Sequence, residues 1–372
     1  MANSSGTSAA QNSSFASLQV RLDALVENYR TCQRLSGTKV GSVVKADGYG
    51  LGAIPIAKAL YEAGCDTFFV ARLEEGIALR RVIGDVRIFV LDGCPSGTAS
   101  ALVAHNLTPI LNSLGQIEMW GAEARARHGR LDGVIHVDTG MNRLGLPADE
   151  LAIVSAQAGE RLRDINVILV MSHLACSEDP SATMNREQLA RFRAALARLP
   201  PAPASLSPSG GICLGRDYAF DMVRPGIALY GGNPQPRRPN AFNPVVRLTG
   251  RVLQIRRVDK GEGVGYGATF RTEGPAILAT VGLGYADGLM RAIGNRGAGA
   301  IDGVRVAVAG RVSMDLVSLD VTTISTIEVG SEVEFIGDTI LVDEIAAAAG
   351  TATYEILTGL GKRLPRFHVT AA

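Results

Sequence analysis

One lysine of this chain stands in surroundings that suit covalent chemistry. Lys45 follows a short β-branched run and precedes the glycine-rich stretch 48–52. A lysine that forms a Schiff base with a cofactor aldehyde needs a fixed stem, a dry pocket that lowers its pKa and open backbone around it. The same placement also suits a loop lysine that contacts a phosphate or a carboxylate. The local motif leaves both chemistries open.

Further polar candidates stand at or just after other short apolar runs. They are residues 138–143, His173, the serine-glycine group 209–211, and residues 224–227. Serine and glycine at such a place favour phosphate binding, because glycine lets the backbone approach an anion closely. These groups therefore need a fold that brings the ends of several strands together.

Eight apolar runs alternate with helical stretches in the first two thirds of the chain. The runs are 40–44, 67–71, 86–91, 107–111, 134–137, 165–171, 204–207 and 223–229. The clearest helical stretches are 53–63, 74–82, 113–127 and 186–199. Eight βα repeats predict a closed parallel barrel, a (β/α)8 TIM-type barrel in the α/β class. Catalytic groups of such barrels stand at the C-terminal strand ends, so all the candidates above fall on one face.

The pattern changes after about residue 244 and indicates a second domain. Strands are predicted at 247–258, 276–281, 304–309, 316–321 and 331–336, with one helix at 342–348. A proline-rich linker at 233–243 separates the part with alternating strands and helices from the strand-rich part. We therefore predict a disordered leader at 1–15, a barrel domain at 16–244 that starts with an extra strand and helix at 17–35, and a C-terminal mainly-β domain at 245–372.

The composition narrows the class of protein. The 372 residues are 47% hydrophobic and 20% charged, with a net charge of +1, which does not favour nucleic-acid or membrane-surface partners. The five cysteines are dispersed and form no CxxC pair, so neither a zinc site nor a disulfide framework is expected. The leader lacks the basic start and apolar centre of a signal peptide, and no apolar run has membrane-spanning length. A cytoplasmic enzyme without a metal is the expectation.

Five sequence blocks then carry a resemblance over residues 17–365. They are 43–52 (VVKADGYGLG), 136–145 (HVDTGMNRLG), 222–231 (MVRPGIALYG), 282–288 (GLGYADG) and 310–315 (GRVSMD). In this order and spacing they resemble the alanine racemase family. The resemblance implies an isomerase with a barrel and a β domain, pyridoxal 5'-phosphate as cofactor, and interconversion of L- and D-alanine.

The resemblance also implies the two groups that exchange the α-proton. Lys45 looks like the lysine that holds the cofactor and acts as the base on the D-side. Tyr285 looks like the base that acts on L-alanine from the opposite face; without the resemblance, a packed turn tyrosine is the alternative. The family's tyrosine comes from the β domain of a second subunit, so the resemblance implies a homodimer with shared active sites.

The remaining roles follow from the same motifs. Arg224 looks like the arginine that faces the pyridine nitrogen and keeps it unprotonated; a structural salt bridge is its alternative. His173 is expected to contact Arg224 and Tyr285, although a purely structural histidine also fits. The residues expected to hold the phosphate are Tyr49 through its hydroxyl, Ser209, and the amides of Gly226 and Ile227. Those expected at the substrate carboxylate are Arg143 and the Met314 amide, with Asp315 either beside them or capping a turn.

Three positions depart from the family pattern. His136 stands where many members have a carbamylated lysine; a neutral histidine could accept from Arg143, whereas a protonated one would repel it. Pro208 replaces a common asparagine before the phosphate-binding serine and brings no amide hydrogen. Lys362 stands where many members have a tyrosine at the entrance, which affects whether serine or larger amino acids are admitted.

Rival functions remain on the same scaffold. A broad-specificity or serine racemase shares the site, and a basic amino-acid decarboxylase shares the fold but pairs the pyridine nitrogen with a carboxylate, against which Arg224 argues. A non-catalytic pyridoxal-phosphate carrier is typically a lone barrel without Tyr285. Supply of D-alanine for peptidoglycan and catabolism of alanine both stay open as the physiological role.

Overall fold

The computed structural model describes residues 15–370 and divides them into two compact units. One unit contains residues 26–229 and 233–242. The other contains the residues up to Leu25, residues 230–232, and residues from Asn243 onward. All but Phe15 of the predicted leader lies outside the described residues, and the Phe15 carbonyl accepts a hydrogen bond from the Arg251 amide at 2.8 Å.

The first part of the chain alternates strands and helices. The strands are β1 (Ala16–Arg21), β2 (Lys39–Val40), β3 (Ser42–Val43), β4 (Thr67–Val70), β5 (Arg87–Val90), β6 (Thr108–Leu111), β7 (Leu131–His136), β8 (Ile165–Met171), β9 (Ala204–Ser205) and β10 (Met222–Val223). The helices are α1 (Leu22–Ser36), α2 (Ala53–Glu62), α3 (Leu73–Arg80), α4 (Ala99–Ala104), α5 (Leu114–Ala126), α6 (Ala148–Ala156), α7 (Ala158–Arg161), α8 (Thr183–Leu196) and α9 (Ser209–Leu214).

Strands β2 to β10 build the predicted parallel barrel. Strands β3 to β9 form one parallel sheet in chain order, and β10 pairs with β2. The Gly41 amide donates to the Val223 carbonyl at 2.9 Å, and the Arg224 amide donates to the Ser207 carbonyl at 2.8 Å, so β10 is hydrogen-bonded on both sides. Helices cover the sheet, and every residue of β4 is buried, as expected of parallel strands. The predicted fold class is confirmed.

The eighth strand is shorter than predicted. Only Met222–Val223 is a strand, followed by a single bridge between Arg224 and Pro208. Pro225 has no amide hydrogen to continue a ladder, and the Leu229 amide turns back to the Gly226 carbonyl at 2.9 Å. The apolar residues 227–229 are buried in this turn; their hydrophobicity reflects burial, which the sequence pattern could not separate from a strand.

The second part of the chain is rich in antiparallel strands. They are β11 (Val246–Val258), β12 (Gly263–Val264), β13 (Phe270–Arg271), β14 (Ala276–Val281), β15 (Ala298–Ile301), β16 (Val304–Val308), β17 (Val317–Asp320), β18 (Glu332–Ile336) and β19 (Arg366–Val369). The helices are α10 (Val342–Ala349) and α11 (Thr353–Thr358). The main sheet has the order β14-β17-β16-β15-β18-β11-β1-β19. Because β11 pairs with both β18 and β14, six of these strands close into a ring.

The N-terminal strand differs most from the sequence prediction. The range predicted for the barrel domain starts at residue 16, whereas β1 pairs antiparallel with β11 and parallel with β19. Leu18 and Val20 are fully buried there, so β1 covers an edge of the β-rich sheet. A strand's pattern shows that one face is buried but not which sheet it joins.

Other elements of the β-rich part were not predicted. Strand β15 contains Gly299 and two alanines, and α11 is a helix of six residues, so neither gives a strong periodic signal. The prediction of a single helix in this part is therefore wrong. In the described part of the chain, none of the helices combines the length and apolarity that crossing a membrane requires.

Candidate active site

Lys45 opens a left-handed turn at the end of the first barrel strand. The φ angles of Ala46, Asp47 and Gly48 are 52°, 54° and 61°, and that of Tyr49 is 57°. This conformation costs a residue with a side chain about 1–2 kcal/mol. Backbone strain of this kind concentrates at functional sites, where the surrounding structure maintains it.

Glu75 is the residue that maintains this turn. One of its carboxylate oxygens accepts the Ala46 amide at 2.7 Å, and the other accepts the amides of Ala71 at 2.7 Å and Arg72 at 3.2 Å. Asp47 adds a second anchor by accepting the Ala53 amide at 2.8 Å. The carboxylate of Glu75 therefore joins the turn after Lys45 to the start of helix α3. Sequence reasoning missed this residue.

The surroundings of Lys45 favour its neutral amine. Burial lowers the pKa of Lys45, and the charge of Arg143 lowers it further, while Glu75 and Asp92 oppose the shift. The lowering of the Lys45 pKa by burial agrees with the requirement for a dry pocket. A lysine can attack an aldehyde or accept a proton only as the neutral amine.

An anion cradle lies beside the first barrel strand, where the Val43 amide donates to the Pro225 carbonyl at 3.1 Å. The Ser209 hydroxyl accepts the amides of Gly226 at 2.9 Å and Ala228 at 3.2 Å. A Cβ at Gly226 would lie 2.0 Å from the Tyr49 hydroxyl. The structure thus brings together Tyr49, Ser209 and Gly226 as predicted, and it adds the Ala228 amide next to that of Ile227. Successive amides beside a hydroxyl suit a phosphate.

Arg224 is a buried cation held by neutral groups. Only 3% of the residue is exposed. Its guanidinium donates to the Ser205 hydroxyl and to the carbonyls of Ser172 and Leu206. Among the described residues no carboxylate forms an ion pair with it, so the salt-bridge alternative is wrong. Burial lowers the pKa of Arg224 to about 9, and the side chain remains charged at neutral pH.

His173 is neutral beside these cations. Burial lowers its pKa well below the usual value, and the charges of Arg224 and Arg143 add to the effect. Its backbone carbonyl accepts from the Gln188 side chain at 2.9 Å, which fixes the chain just after strand β8. A neutral imidazole retains both a donor and an acceptor nitrogen.

His136 is also neutral, and its tautomer follows from its neighbour. The Asn112 amide nitrogen donates to the carbonyls of Leu91 and Ile110, both at 2.9 Å, so its oxygen faces Nδ1 of His136 at 2.7 Å. Nδ1 therefore carries the proton and Nε2 the lone pair. Burial, followed by the charge of Arg224, lowers the pKa of His136 to about 3. Of the two states considered for this position, the structure favours the one that does not repel Arg143.

The loop that carries Arg143 is organised by Asp138. One oxygen of its carboxylate accepts the amides of Gly140 at 2.8 Å, Met141 at 2.9 Å and Asn142 at 3.2 Å. Helix α8 supports the same loop, since the Gln188 side chain donates to the Thr139 hydroxyl at 3.1 Å. Arg143, the residue expected at the substrate carboxylate, thus lies in a loop that the Asp138 and Gln188 side chains stabilise.

Tyr285 and Met314 lie together in the β-rich unit. The Tyr285 amide donates to the Ser313 carbonyl at 3.0 Å, and the Ala286 amide donates to the Met314 carbonyl at 2.9 Å. The Tyr285 residue is 42% exposed and Met314 is 54% exposed. The alternative of a packed turn tyrosine is therefore not favoured.

Asp315 forms an ion pair with Arg363. Sequence reasoning missed this arginine. The Arg363 guanidinium contacts Asp315 at 2.7 Å and Asp287 at 2.6 Å. Arg363 lies in the basic run 362–366, in which only Lys362 stands at a position that departs from the family pattern. Lys362 itself is exposed, and Pro208 precedes helix α9 with an extended backbone.

The barrel residues fit pyridoxal phosphate on structural grounds. A lysine with a lowered pKa, a cradle of amides and hydroxyls, and a buried cation match an aldehyde, a phosphate and a pyridine nitrogen. The close approach of Tyr49 to Gly226 leaves no room for a side chain there, as expected where backbone contacts an anion. The fold and this set of residues define an enzyme of the barrel type that uses a phosphate-bearing aldehyde cofactor.

Comparisons with known proteins name the family. The model of the alanine racemase N-terminal domain matches residues 20–234, and that of the alanine racemase C-terminal domain matches residues 245–368. The chain belongs to the alanine racemase family. The resemblance read from the sequence is confirmed, as are the isomerase class and the cofactor.

Individual relatives agree over nearly the whole chain. A protein of Agrobacterium fabrum named "Alanine racemase, catabolic" is 47% identical over 356 residues, covering 95% of this chain and 92% of that protein. An alanine racemase of Brucella abortus is 43% identical over 369 residues, covering 95% and 93%. The crystal structure of the Bartonella henselae alanine racemase with covalently bound pyridoxal phosphate has a TM-score of 0.91 and 39% identity, covering 96% of this chain and 100% of that one.

Proposed function

We propose that this chain racemises alanine by a two-base mechanism in which Lys45 and Tyr285 act on opposite faces of the substrate. Alanine racemase activity is supported by the family and by its named relatives. The assignment of these two residues as bases rests on their motifs, on the lowered pKa of Lys45 and on the exposed position of Tyr285.

The barrel residues bind and orient the cofactor. Lys45 attaches it; the Ser209 hydroxyl, the Tyr49 hydroxyl and the amides after Arg224 hold its phosphate; Arg224 faces its ring nitrogen. When bound, pyridoxal phosphate draws electrons from Cα and so acidifies the α-hydrogen of the amino acid. With substrate bound, the amine of Lys45 would stand beside Cα and would hold or return a proton on the D-side.

The remaining residues bind the substrate and move the second proton. Arg143 and the Met314 amide hold the carboxylate, which fixes Cα between the two bases. The phenol oxygen of Tyr285, when deprotonated, takes the proton from L-alanine, and the neutral phenol returns it in the reverse direction. His173 is neutral and therefore able to accept a hydrogen bond from a neighbouring hydroxyl.

The buried, carboxylate-free Arg224 is the observation that carries racemisation over the rival reactions. A cation at the ring nitrogen disfavours protonation of that nitrogen, which limits how strongly electrons are drawn from Cα. A decarboxylase benefits from the opposite arrangement, with a carboxylate at that place. The hydrogen bonds of Arg224 to Ser205 and Ser172 keep its charge fixed at this position.

The active enzyme is proposed to be a cytoplasmic homodimer. In the arrangement implied by the family, Tyr285 and Met314 of one subunit complete the site at Lys45 of the other, so a separated subunit would be inactive. Size measurement and activity followed together across a dilution series test this. Full activity of a monomeric species would contradict it.

Alanine catabolism is the physiological role that we propose. The support is the name of the Agrobacterium fabrum relative, which is qualified as catabolic. A deletion strain would then lose growth on alanine as a carbon source without requiring added D-alanine. A strict requirement for D-alanine would instead assign the enzyme to peptidoglycan supply.

The reaction is tested by chiral detection of D-alanine after incubation of the cofactor-loaded protein with L-alanine, with L-serine in parallel. Conversion to an equal mixture of alanine enantiomers is expected. Tyr285→Phe should lose α-proton exchange from L-alanine while keeping it from D-alanine, and Lys45→Ala should abolish covalent attachment of the cofactor. Activity on serine alone would mean that His136 and Lys362 have changed the substrate.

A further inference from the structure

We infer that Arg363 is a positioning residue that holds the Tyr285 turn and the Met314 segment in one arrangement. Tyr285 and Met314 have roles in the proposed function, and the inference rests on that function. No motif that identified the family includes Arg363, and neither the cofactor nor the substrate roles described above use it.

The guanidinium of Arg363 reaches two carboxylates at once. Its Nε donates to Oδ1 of Asp287 at 2.6 Å and its Nη2 to Oδ2 of the same residue at 3.0 Å, which is a bidentate contact. The same Nη2 donates to Oδ1 of Asp315 at 2.7 Å. Asp287 follows Tyr285 by two positions and Asp315 follows Met314 directly. The arginine therefore bridges the two segments that carry the functional groups.

Asp287 is fixed in the Tyr285 turn by further hydrogen bonds. The Asp287 side chain is 8% exposed, and its Oδ2 also accepts the Gly284 amide at 2.9 Å. Its backbone carbonyl accepts the Gly361 amide at 2.8 Å. A buried carboxylate that lost its cation would keep its desolvation cost with only the Gly284 amide to offset it, so the local turn depends on Arg363.

The exposed ring of Tyr285 makes the turn's geometry matter. With 42% of the residue exposed in its own subunit, packing within that subunit contributes little to the placement of the ring, and the backbone of the turn sets the direction in which the side chain leaves it. Two amide-to-carbonyl bonds join residues 285–286 to residues 313–314. Arg363 adds a side-chain bridge across the same pair of segments, and a displacement of about 1 Å is enough to slow proton transfer strongly.

Only arginine fits this arrangement. A planar guanidinium offers donors in a fixed fork that meets one carboxylate with two bonds and a second carboxylate with a third. A lysine ammonium in its place keeps the charge but not the fork. Arg363→Lys therefore separates charge compensation from geometry, and Arg363→Gln removes both.

The experiment compares Arg363→Lys and Arg363→Gln with Arg305→Gln in the cofactor-loaded enzyme. Arg305 pairs with Glu344 on the surface of the same unit, so its variant controls for loss of an ion pair. Amide hydrogen exchange is measured over residues 284–288 and 313–315, and α-proton exchange is measured separately from L- and D-alanine. The first readout does not depend on catalysis.

In Arg363→Gln we expect amide exchange in both segments to rise about 10-fold, which corresponds to the loss of roughly one charge-assisted hydrogen bond. Exchange of the α-proton should fall about 10-fold more from L-alanine than from D-alanine. Arg363→Lys should show smaller changes in both amide exchange and α-proton exchange, and Arg305→Gln should match the wild type in both. If Arg363→Gln does not fold, Asp315→Asn breaks only the exposed side of the bridge and should raise KM for alanine with a smaller change in kcat.

Wild-type amide exchange in Arg363→Gln, or an equal fall of α-proton exchange from both enantiomers, would overturn the inference. The proposed function fails in a different way. If the wild type does not racemise alanine, or if Tyr285→Phe affects both enantiomers equally, the two-base assignment is wrong whatever Arg363 does to the amides.

Discussion

The side-chain oxygen of Asn112 lies 2.7 Å from Nδ1 of His136. Two backbone carbonyls fix the orientation of the Asn112 amide, so the proton on Nδ1 is defined by the structure around it. The lone pair on Nε2 is then available on the side of the ring away from Asn112. A neutral acceptor thus stands at the position where many family members carry a carbamylated lysine.

The pH dependence of stability tests the neutral state of His136. Its folded pKa of about 3 lies below the ordinary value of 6.5, so between these values the unfolded chain binds more protons. The stabilising contribution is complete above pH 6.5 and is lost as the pH falls towards 3. We expect His136→Gln to reduce the slope of unfolding free energy against pH by up to about 1.4 kcal/mol per pH unit.

The measurement is urea denaturation of the loaded enzyme from pH 7.5 to 5, at constant protein and cofactor concentration. His128→Gln is the control, because His128 is exposed. His173, which is also neutral in the folded protein, should retain its own share of the slope. An unchanged slope in His136→Gln would show that folding does not lower the pKa of His136.

Substitution of Glu75 tests the support of the Lys45 turn. In Glu75→Gln one oxygen becomes an amide nitrogen, which cannot accept from a backbone amide, so Ala46 or the pair Ala71 and Arg72 loses its acceptor. We expect a loss of about 1–3 kcal/mol in unfolding free energy and slower covalent reattachment of the cofactor to Lys45.

Urea denaturation gives the first quantity, and the absorbance of the attached cofactor after addition to cofactor-free protein gives the second. Glu74→Gln removes the same charge from the adjacent, exposed position and should behave as the wild type. Equal effects of the two variants would show that charge, not the hydrogen bonds of Glu75, is responsible.

The phosphate cradle is tested by adding one methyl group at Gly226. A Cβ there would lie 2.0 Å from the Tyr49 hydroxyl and 2.9 Å from its ring carbon, so Tyr49 must move away. Overpacking of this kind costs about 1–3 kcal/mol, and we expect Gly226→Ala to raise the apparent Kd for pyridoxal phosphate about 10- to 100-fold.

Titration of cofactor-free protein with pyridoxal phosphate measures this change. Gly159→Ala is the matched control, since a Cβ at Gly159 meets nothing within 4 Å and the residue lies in helix α7. A Kd for Gly226→Ala equal to that of the control would mean that the phosphate is held elsewhere.

The sequence by itself determined the barrel, the strand of Lys45 and the five family motifs. These features are local: an apolar run of four to seven residues, a helix with one apolar face, or a glycine-rich turn appears in consecutive residues. The long strand β11 and helix α10 were predicted within a residue or two for the same reason. A shared role for Tyr49, Ser209 and Gly226 was implied by the resemblance to the family and not by the local sequence around each residue.

Only the tertiary structure decided which partners those residues have. Strand β1 joined β11 and β19 rather than the barrel, because pairing depends on an open edge that is distant in sequence. Glu75, Asn112 and Arg363 act on residues 29, 24 and 76 or 48 positions away. No local pattern marks such residues, since a hydrogen bond between side chains of distant segments exists only once the chain has brought those segments together.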